Sequence, residues 1–410
     1  MMRNLLVLVA ASRALAQSSA VPAPSGTGAA CPSATGDYAA VDNSQLPDPW
    51  TFANGKPVVT TEDWACRQQE ISKIMQQFEL GEYPGPPDSL TATMSGTSMS
   101  LSIKVGSNTK TISVGLTRPS GGGTTGGPAI VTVGGSSIPI PAGVGRINFG
   151  NDACAAQQNP ASHGSGWFFD LHGKTHPAGA LTAWAWCVGR IIDGLEQLGA
   201  AKTGIDPTRL GVTGCSRNGK GAFLVGTLEK RIALTLPQES GSGGAASWRV
   251  SDFEKAKGIS IQTAHQIIRE NAWFSHNFDP YVNRTNQLPE DHHFLPALIA
   301  PRGLFVMEND IDWLGPVSTT VAMKAGRLIY QALGVRSNMG FALVGGHGHC
   351  SFPSASTADL NSYINHFLLG TGKTSDAEVT PVDNVTMSDW IGHWATAPTA
   401  LAAGAPAASS

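Results

Sequence analysis

The chain has 410 residues, 41% hydrophobic and 14% charged, which is enough to bury a large core and still form one α/β domain. A net charge of −3 and a pI near 6.4 leave no basic excess to neutralise phosphates, so nucleic acid is excluded as an expected partner. The 48 glycines and 26 prolines point to many tight loops around a regular scaffold.

In chain order, residues 1–16 read as a signal peptide. Arg3 supplies the positive start, 5–11 the apolar stretch, and Ala14-Leu15-Ala16 the small-residue cleavage site. A secreted, extracellular mature chain follows. No later stretch is apolar and long enough to span a bilayer, so no membrane association is expected. Residues 17–30 form a Ser/Pro/Gly/Ala-rich flexible leader, 31–394 one catalytic domain, and 395–410 a flexible tail.

Within the domain, alternation at 100–105 and 110–116 around Gly106-Ser107-Asn108 reads as a hairpin, and 129–133 as a buried strand. The spacing of Leu181, Trp184, Val188, Ile191, Ile192, Leu195 and Leu198 predicts a helix. Strands follow at 209–213, 233–237, 303–307 and 340–344, with helical patterns between them and a last helix at 360–367. A hairpin followed by β-α-β-α reads as an α/β fold, a mixed and mostly parallel sheet with helices on both faces. In such a sheet the site forms at the carboxyl ends of the strands.

The chemistry centres on Gly214-Cys215-Ser216-Arg217-Asn218-Gly219-Lys220-Gly221, directly after a strand. A strand-to-helix turn of this kind lifts a serine hydroxyl above the sheet as a nucleophile. Asn218 stands where the common G-x-S-x-G pattern has glycine. An ordinary loop with Ser216 as helix N-cap reads about equally well from this segment alone. The base belongs after the last strand, where Gly345-Gly346-His347-Gly348-His349-Cys350 offers two histidines. A His-x-His pair also invites a metal, but no third ligand is evident and no metal or cofactor is expected. The acid is Glu239, after strand 233–237, or Asp310, after 303–307. Topology favours the later position, Asp310.

The run Gly214 to Ala222 resembles the nucleophile motif of the fungal glucuronoyl esterases, carbohydrate esterase family fifteen. Pro237-Gln238-Glu239-Ser240-Gly241, Ile261-Gln262-Thr263-Ala264 with Glu270-Asn271, Ile311-Asp312-Trp313-Leu314-Gly315-Pro316 and His347-Gly348-His349-Cys350 resemble it too, in the same order. The resemblance implies an α/β-hydrolase fold and cleavage of 4-O-methyl-glucuronoyl esters that join glucuronoxylan to lignin alcohols. It implies Ser216 as nucleophile, His349 as base, Glu239 in place of Asp310 as the acid, and Arg217 at the oxyanion. Lys220, Gln262, Glu270 and Trp313 would hold the sugar. It also implies Cys31–Cys66 and Cys215–Cys350 bridges. Cys154 and Cys187 depart from the family pattern, and a bridge between them is expected. Asn283-Arg284-Thr285 and Asn384-Val385-Thr386 are candidate glycosylation sites. The enzyme is expected to act as a monomer. Two other readings stay open: a broader carboxylesterase on plant-wall esters, and a non-catalytic carbohydrate-binding protein on a hydrolase scaffold.

Overall fold

The computed structural model describes residues 31, 37–383, 385–394 and 401–402, and the fold is that of the unit Pro32–Ser410. The signal peptide and leader read at 1–30, Asn384 and nearly all of the tail lie outside the described residues. No helix among the described residues is long and apolar enough to cross a membrane.

The described residues form one mixed sheet of β1 (Ser89–Ser95), β2 (Ser98–Val105), β3 (Asn108–Thr117), β4 (Gly127–Val133), β5 (Gly145–Phe149), β6 (Ile205–Cys215), β7 (Ile232–Gln238), β8 (Gly303–Glu308), β9 (Met339–Leu343) and β10 (Glu378–Val379). Their spatial order is β1-β2-β3-β5-β4-β6-β7-β8-β9-β10. The pairs from β1 to β5 are antiparallel, and all those from β5 through β4 to β10 are parallel. The expected hairpin is β2–β3, closed by the pair Val105 and Asn108 around Gly106, whose φ of 57° suits a two-residue turn. β6 begins earlier than its apolar run suggests. It passes Pro207 by slipping register against β4 between Gly127 and Ala129, so the extra residues bulge outward. β1 and β5 escape sequence reading because β1 is largely exposed and Ser/Thr-rich, and β5 is only five residues long.

Successive side chains of a strand point to opposite faces, and here both faces are buried. On β4 and β8, Val131, Val133, Leu304 and Val306 join one core, while Ile130, Phe305 and Met307 join a second. The first core takes Leu181, Trp184 and Val188 of helix Ala180–Leu198, Phe223 of helix Arg217–Leu228, and Ile329 of helix Pro316–Ala332. The second takes Leu360, Tyr363 and Ile364 of helix Thr357–Phe367. Near-continuous apolar strands covered on both sides are what a parallel sheet requires.

Helix Thr61–Met75 starts at a Thr60–Asp63 capping box and runs into a π-helical turn, Gln76–Leu80, that carries Glu79 inward. Glu79 and Glu290 are both 0% exposed. Burial pushes the Glu79 carboxyl up to about 8, and burial with the neighbouring Glu79 charge pushes Glu290 well above the ordinary range. His292 Nδ1 lies 2.7 Å from the Gly244 carbonyl and must donate to it, so its Nε2, 2.9 Å from Glu79 Oε1, accepts from a protonated Glu79. Between the ordinary carboxyl value and about pH 8 the native state therefore holds more protons than the unfolded chain. Stability falls as pH rises through that window, by up to about 1.4 kcal/mol per pH unit for Glu79, and Glu290, shifted in the same direction, adds to the fall. Glu290→Gln is expected to flatten this slope and raise the melting temperature at pH 8. Thermal unfolding across pH checks it, and an unchanged slope would contradict it.

Candidate active site

Cys215, Gln238, Met307 and Ala342 are Cα partners across β6, β7, β8 and β9. The residues just beyond them share one edge of the sheet: Ser216, Glu239, Glu308 and the histidine loop. This is the carboxyl edge, where open α/β sheets place their chemistry.

Ser216 joins β6 to helix Arg217–Leu228 with φ 60° and ψ −126°, and its side chain makes no capping hydrogen bond. That removes the N-cap alternative and leaves a strained elbow. Positive φ on a non-glycine residue costs about 1–3 kcal/mol and persists where its surroundings impose it. Among the described residues four non-glycines have positive φ, and three of them are Ser216, Glu239 and Cys350. The missing glycine of the common motif is explained by packing. A Cβ on Gly214 would lie 2.3 Å from the Asn218 carbonyl oxygen, and one on Gly219 would lie 2.3 Å from that of Gln238. The crowded position after the serine is thus Gly219. Asn218 instead accepts from Asn151 Nδ2 at 3.1 Å, tying the elbow to the short helix Asn151–Cys154 beyond β5.

Glu239 is buried, and its Oε2 lies 2.6 Å from His349 Nδ1 and accepts from the Cys350 N–H at 2.8 Å. Burial pushes this carboxyl up, but the hydrogen bonds from His349 and Cys350 and the charges of His349 and His347 outweigh it and hold it below the ordinary range. A carboxylate only accepts, so Nδ1 carries the hydrogen and Nε2 is the basic nitrogen of the neutral ring. Among the described residues no hydrogen bond joins His349 to Ser216, a common looseness in ligand-free sites. His347 is held differently. Its Nε2 donates to the Val344 carbonyl at 2.7 Å, and Asn309 Nδ2 lies 3.3 Å from its Nδ1. Asp310 is exposed and makes no hydrogen bond or ion pair with His349 among the described residues; its carboxylate lies against Gly345.

The remaining sequence-assigned residues fall into two groups. Arg217 is exposed, with its guanidinium carbon 5.9 Å from the Trp273 ring centroid, and Lys220 Nζ is 5.2 Å from the same centroid. Lys220 is only 3% exposed, so it is no solvated helix charge. Its Nζ donates to the Ser240 carbonyl at 2.5 Å. Burial lowers it to about 8, against the opposing pull of Glu308 and Glu270. In the second group, Gln262 Nε2 donates to Glu270 Oε2 at 3.2 Å and the Gln262 N–H to the Trp313 carbonyl at 3.3 Å. Trp313 stands edge-on to His349 at 4.7 Å between centroids. Asn283 is exposed.

Cys215 and Cys350 are bonded, with Cα atoms 5.8 Å apart, which fastens the residue before Ser216 to the residue after His349. Cys154 and Cys187 are bonded as well, joining the short helix Asn151–Cys154 to helix Ala180–Leu198. The first bridge closes 135 residues, a loop for which chain entropy gives stabilisation of about 5 kcal/mol. The Cys215→Ser/Cys350→Ser double variant is expected to lose about 2–5 kcal/mol in denaturant unfolding and to lose activity before it unfolds. Full activity up to the unfolding transition would contradict that.

Sequence reading missed Trp273, Gln157 and Glu308. Trp273 Nε1 donates to Gln157 Oε1 at 2.5 Å, and Asn271 Nδ2 to the Gln157 carbonyl at 2.6 Å, so Gln157 holds the segment between Glu270 and Trp273. Glu308 is buried at the end of β8 and accepts from the turn after Glu239. A charged residue closing an otherwise apolar strand was the available signal for it.

Residues 101–334 match the family model described as glucuronyl esterase, fungi. The 4-O-methyl-glucuronoyl methylesterase of Thermothelomyces thermophilus is 59% identical over 90% of this chain and 92% of its own length. A serine-to-alanine variant of the glucuronoyl esterase from Sporotrichum thermophile, solved in complex with methyl 4-O-methyl-beta-D-glucopyranuronate, superposes with a TM-score of 0.86 at 59% identity, covering 88% of this chain and 98% of that one. The catalytic domain of the Hypocrea jecorina glucuronoyl esterase gives 0.85 at 49% identity, covering 89% and 99%. With its α/β-hydrolase sheet and these relatives, the chain belongs to the fungal glucuronoyl esterases of carbohydrate esterase family fifteen.

Proposed function

We propose that the chain is a secreted serine esterase that hydrolyses 4-O-methyl-glucuronoyl esters between glucuronoxylan and lignin alcohols. The observation that carries the catalytic part is the 2.6 Å contact of His349 Nδ1 with Glu239 Oε2, on the same sheet edge as the strained Ser216. Ser216 Oγ attacks the ester carbonyl as His349 Nε2 takes its proton, and Glu239 stabilises the imidazolium. The tetrahedral oxyanion faces the Arg217 N–H and guanidinium, the kind of fixed donors that contribute most in a water-poor site. Collapse expels the alcohol, protonated by His349. Water then attacks the acyl-enzyme by the same route and releases the uronic acid and free Ser216. Lys220, Gln262 and Glu270 bind the sugar hydroxyls, and Trp313 packs on the ring. No metal or cofactor takes part.

The expected organisation is a signal peptide at 1–16, a leader at 17–30, one catalytic domain at 31–394 and a tail at 395–410. It includes a Cys31–Cys66 bridge, glycans at Asn283 and Asn384, and a monomeric enzyme. Side-by-side rates on a methyl glucuronate ester, acetylated xylan and short acyl esters test the specificity. Preference for the glucuronate ester supports it, and faster cleavage of the acyl esters overturns it.

A further inference from the structure

Glu239 is followed by a turn that reaches both halves of the site. The Glu239 N–H donates to the Met307 carbonyl at 2.7 Å, and the chain then bends through Glu239 at φ 45° and Gly241 at φ 51°. The next carbonyl, that of Ser240, receives Lys220 Nζ. One strand over, the Glu308 carboxylate sits inside this bend. Its Oε1 accepts the Ser240 N–H at 2.7 Å, the Ser240 hydroxyl at 2.7 Å and the Gly241 N–H at 3.3 Å, with Oε2 also 3.3 Å from the Gly241 nitrogen. The Ser240 hydroxyl in turn accepts the Ala245 N–H at 2.9 Å, extending the anchorage along the loop. Two backbone donors and a hydroxyl aimed at one buried side chain form a site built for an anion. A bend entered through a non-glycine residue at positive φ, Glu239, needs such an over-determined partner to persist.

We propose that Glu308 is a positioning residue for the esterase reaction: its carboxylate fixes the Ser240–Gly241 bend, which sets Glu239 against His349 and the Ser240 carbonyl against Lys220. The second half rests on the assignment of Lys220 to the sugar. The charges that face Lys220 are Glu308, Glu270 and Arg217, and His292 also feels it. Glu308 is the largest favourable one for the ammonium; burial, and then the nearby Glu239, push the Glu308 carboxyl itself up to about 7 against the Ser240 and Gly241 donors, so its charge is present at pH 8. Removing the Glu308 charge therefore weakens Lys220's hold on its proton, and Lys220 turns neutral at lower pH. A residue that merely supports the fold would leave that limb of the pH profile in place.

The test compares wild type, Glu308→Gln, Lys220→Met and the double variant on methyl 4-O-methyl-glucopyranuronate across pH. Glu308→Gln is expected to raise KM roughly tenfold at pH 8, to lower kcat by a smaller factor, and to move the alkaline limb of kcat/KM to lower pH by about one unit. Its KM penalty is expected to vanish in the Lys220→Met background, the sign that the two act as one unit. A KM and alkaline limb unchanged in Glu308→Gln, or penalties that multiply in the double variant, overturn the proposal. Should Glu308→Gln fail to fold, Ser240→Ala reads the same contact: a two- to fivefold rise in KM supports it and an unchanged KM overturns it. If Lys220→Met alone leaves KM unchanged, the sugar role of Lys220 falls instead, a result separate from the effect of Glu308→Gln.

Discussion

Ser216→Ala is expected to lose roughly 10⁴–10⁶-fold in kcat on a methyl glucuronate ester while retaining affinity for it. The size of the loss follows from the division of labour. In the proposed mechanism no acyl-enzyme forms without Oγ, and what is expected to survive is catalysis by Arg217 at the oxyanion and by substrate binding. Alanine should also relieve little strain, because φ 60° is unfavourable for any residue bearing a Cβ. The folded state should therefore keep its stability to within about 1 kcal/mol, so a loss of rate is not a loss of fold. Stopped activity with an unchanged melting temperature and retained binding of the ester is the full expected pattern. Turnover near the wild-type rate would mean that the nucleophile lies elsewhere.

Glu239→Gln is expected to cost roughly 10³–10⁴-fold in kcat, and Asp310→Asn less than about threefold. The contrast comes from contacts. Glu239 is buried on His349 Nδ1 and on the Cys350 N–H, whereas Asp310 is exposed beside Gly345. Both donors go to Oε2, so a glutamine keeps the tautomer that leaves Nε2 basic only with its amide oxygen in that place; the reverse orientation opposes an N–H to both donors. The neutral amide also withdraws the charge that stabilises the imidazolium. Michaelis kinetics of both variants on the same ester check this, and a larger loss in Asp310→Asn than in Glu239→Gln would reassign the acid.

The acid shows where sequence reading stopped and why. Chain order alone pointed beyond β8 to Asp310, because that is where most sheets of this kind carry the acid. Choosing Glu239 required the resemblance to the family. The physical reason lies in the bend at φ 45°, which a sequence does not display: it turns the side chain just after β7 toward a histidine loop 110 residues away. The parallel strands, the long helix after Leu181 and the nucleophile turn were legible because their apolar patterns are local. Glu308 was not, since its partners at Ser240 and Gly241 lie 68 and 67 residues away and two of the donors are backbone groups with no side-chain signature. Trp273 was hidden for a similar reason. Its role depends on Lys220 and Arg217 facing its ring from helix Arg217–Leu228 and on Gln157 holding its indole. Asn218 looked like a defect in the motif, and the close approach of Gly219 to Gln238 shows that the glycine requirement sits one residue later.

The most direct measurement is a crystal structure of Ser216→Ala with methyl 4-O-methyl-glucopyranuronate bound. The expected result has the ester carbonyl at the Arg217 N–H, the sugar hydroxyls on Lys220, Gln262 and Glu270, the ring against Trp313, and Glu239 alone among the carboxylates on His349 Nδ1. A sugar seated away from residue 216, or Asp310 in place of Glu239 on His349, would contradict the assignment.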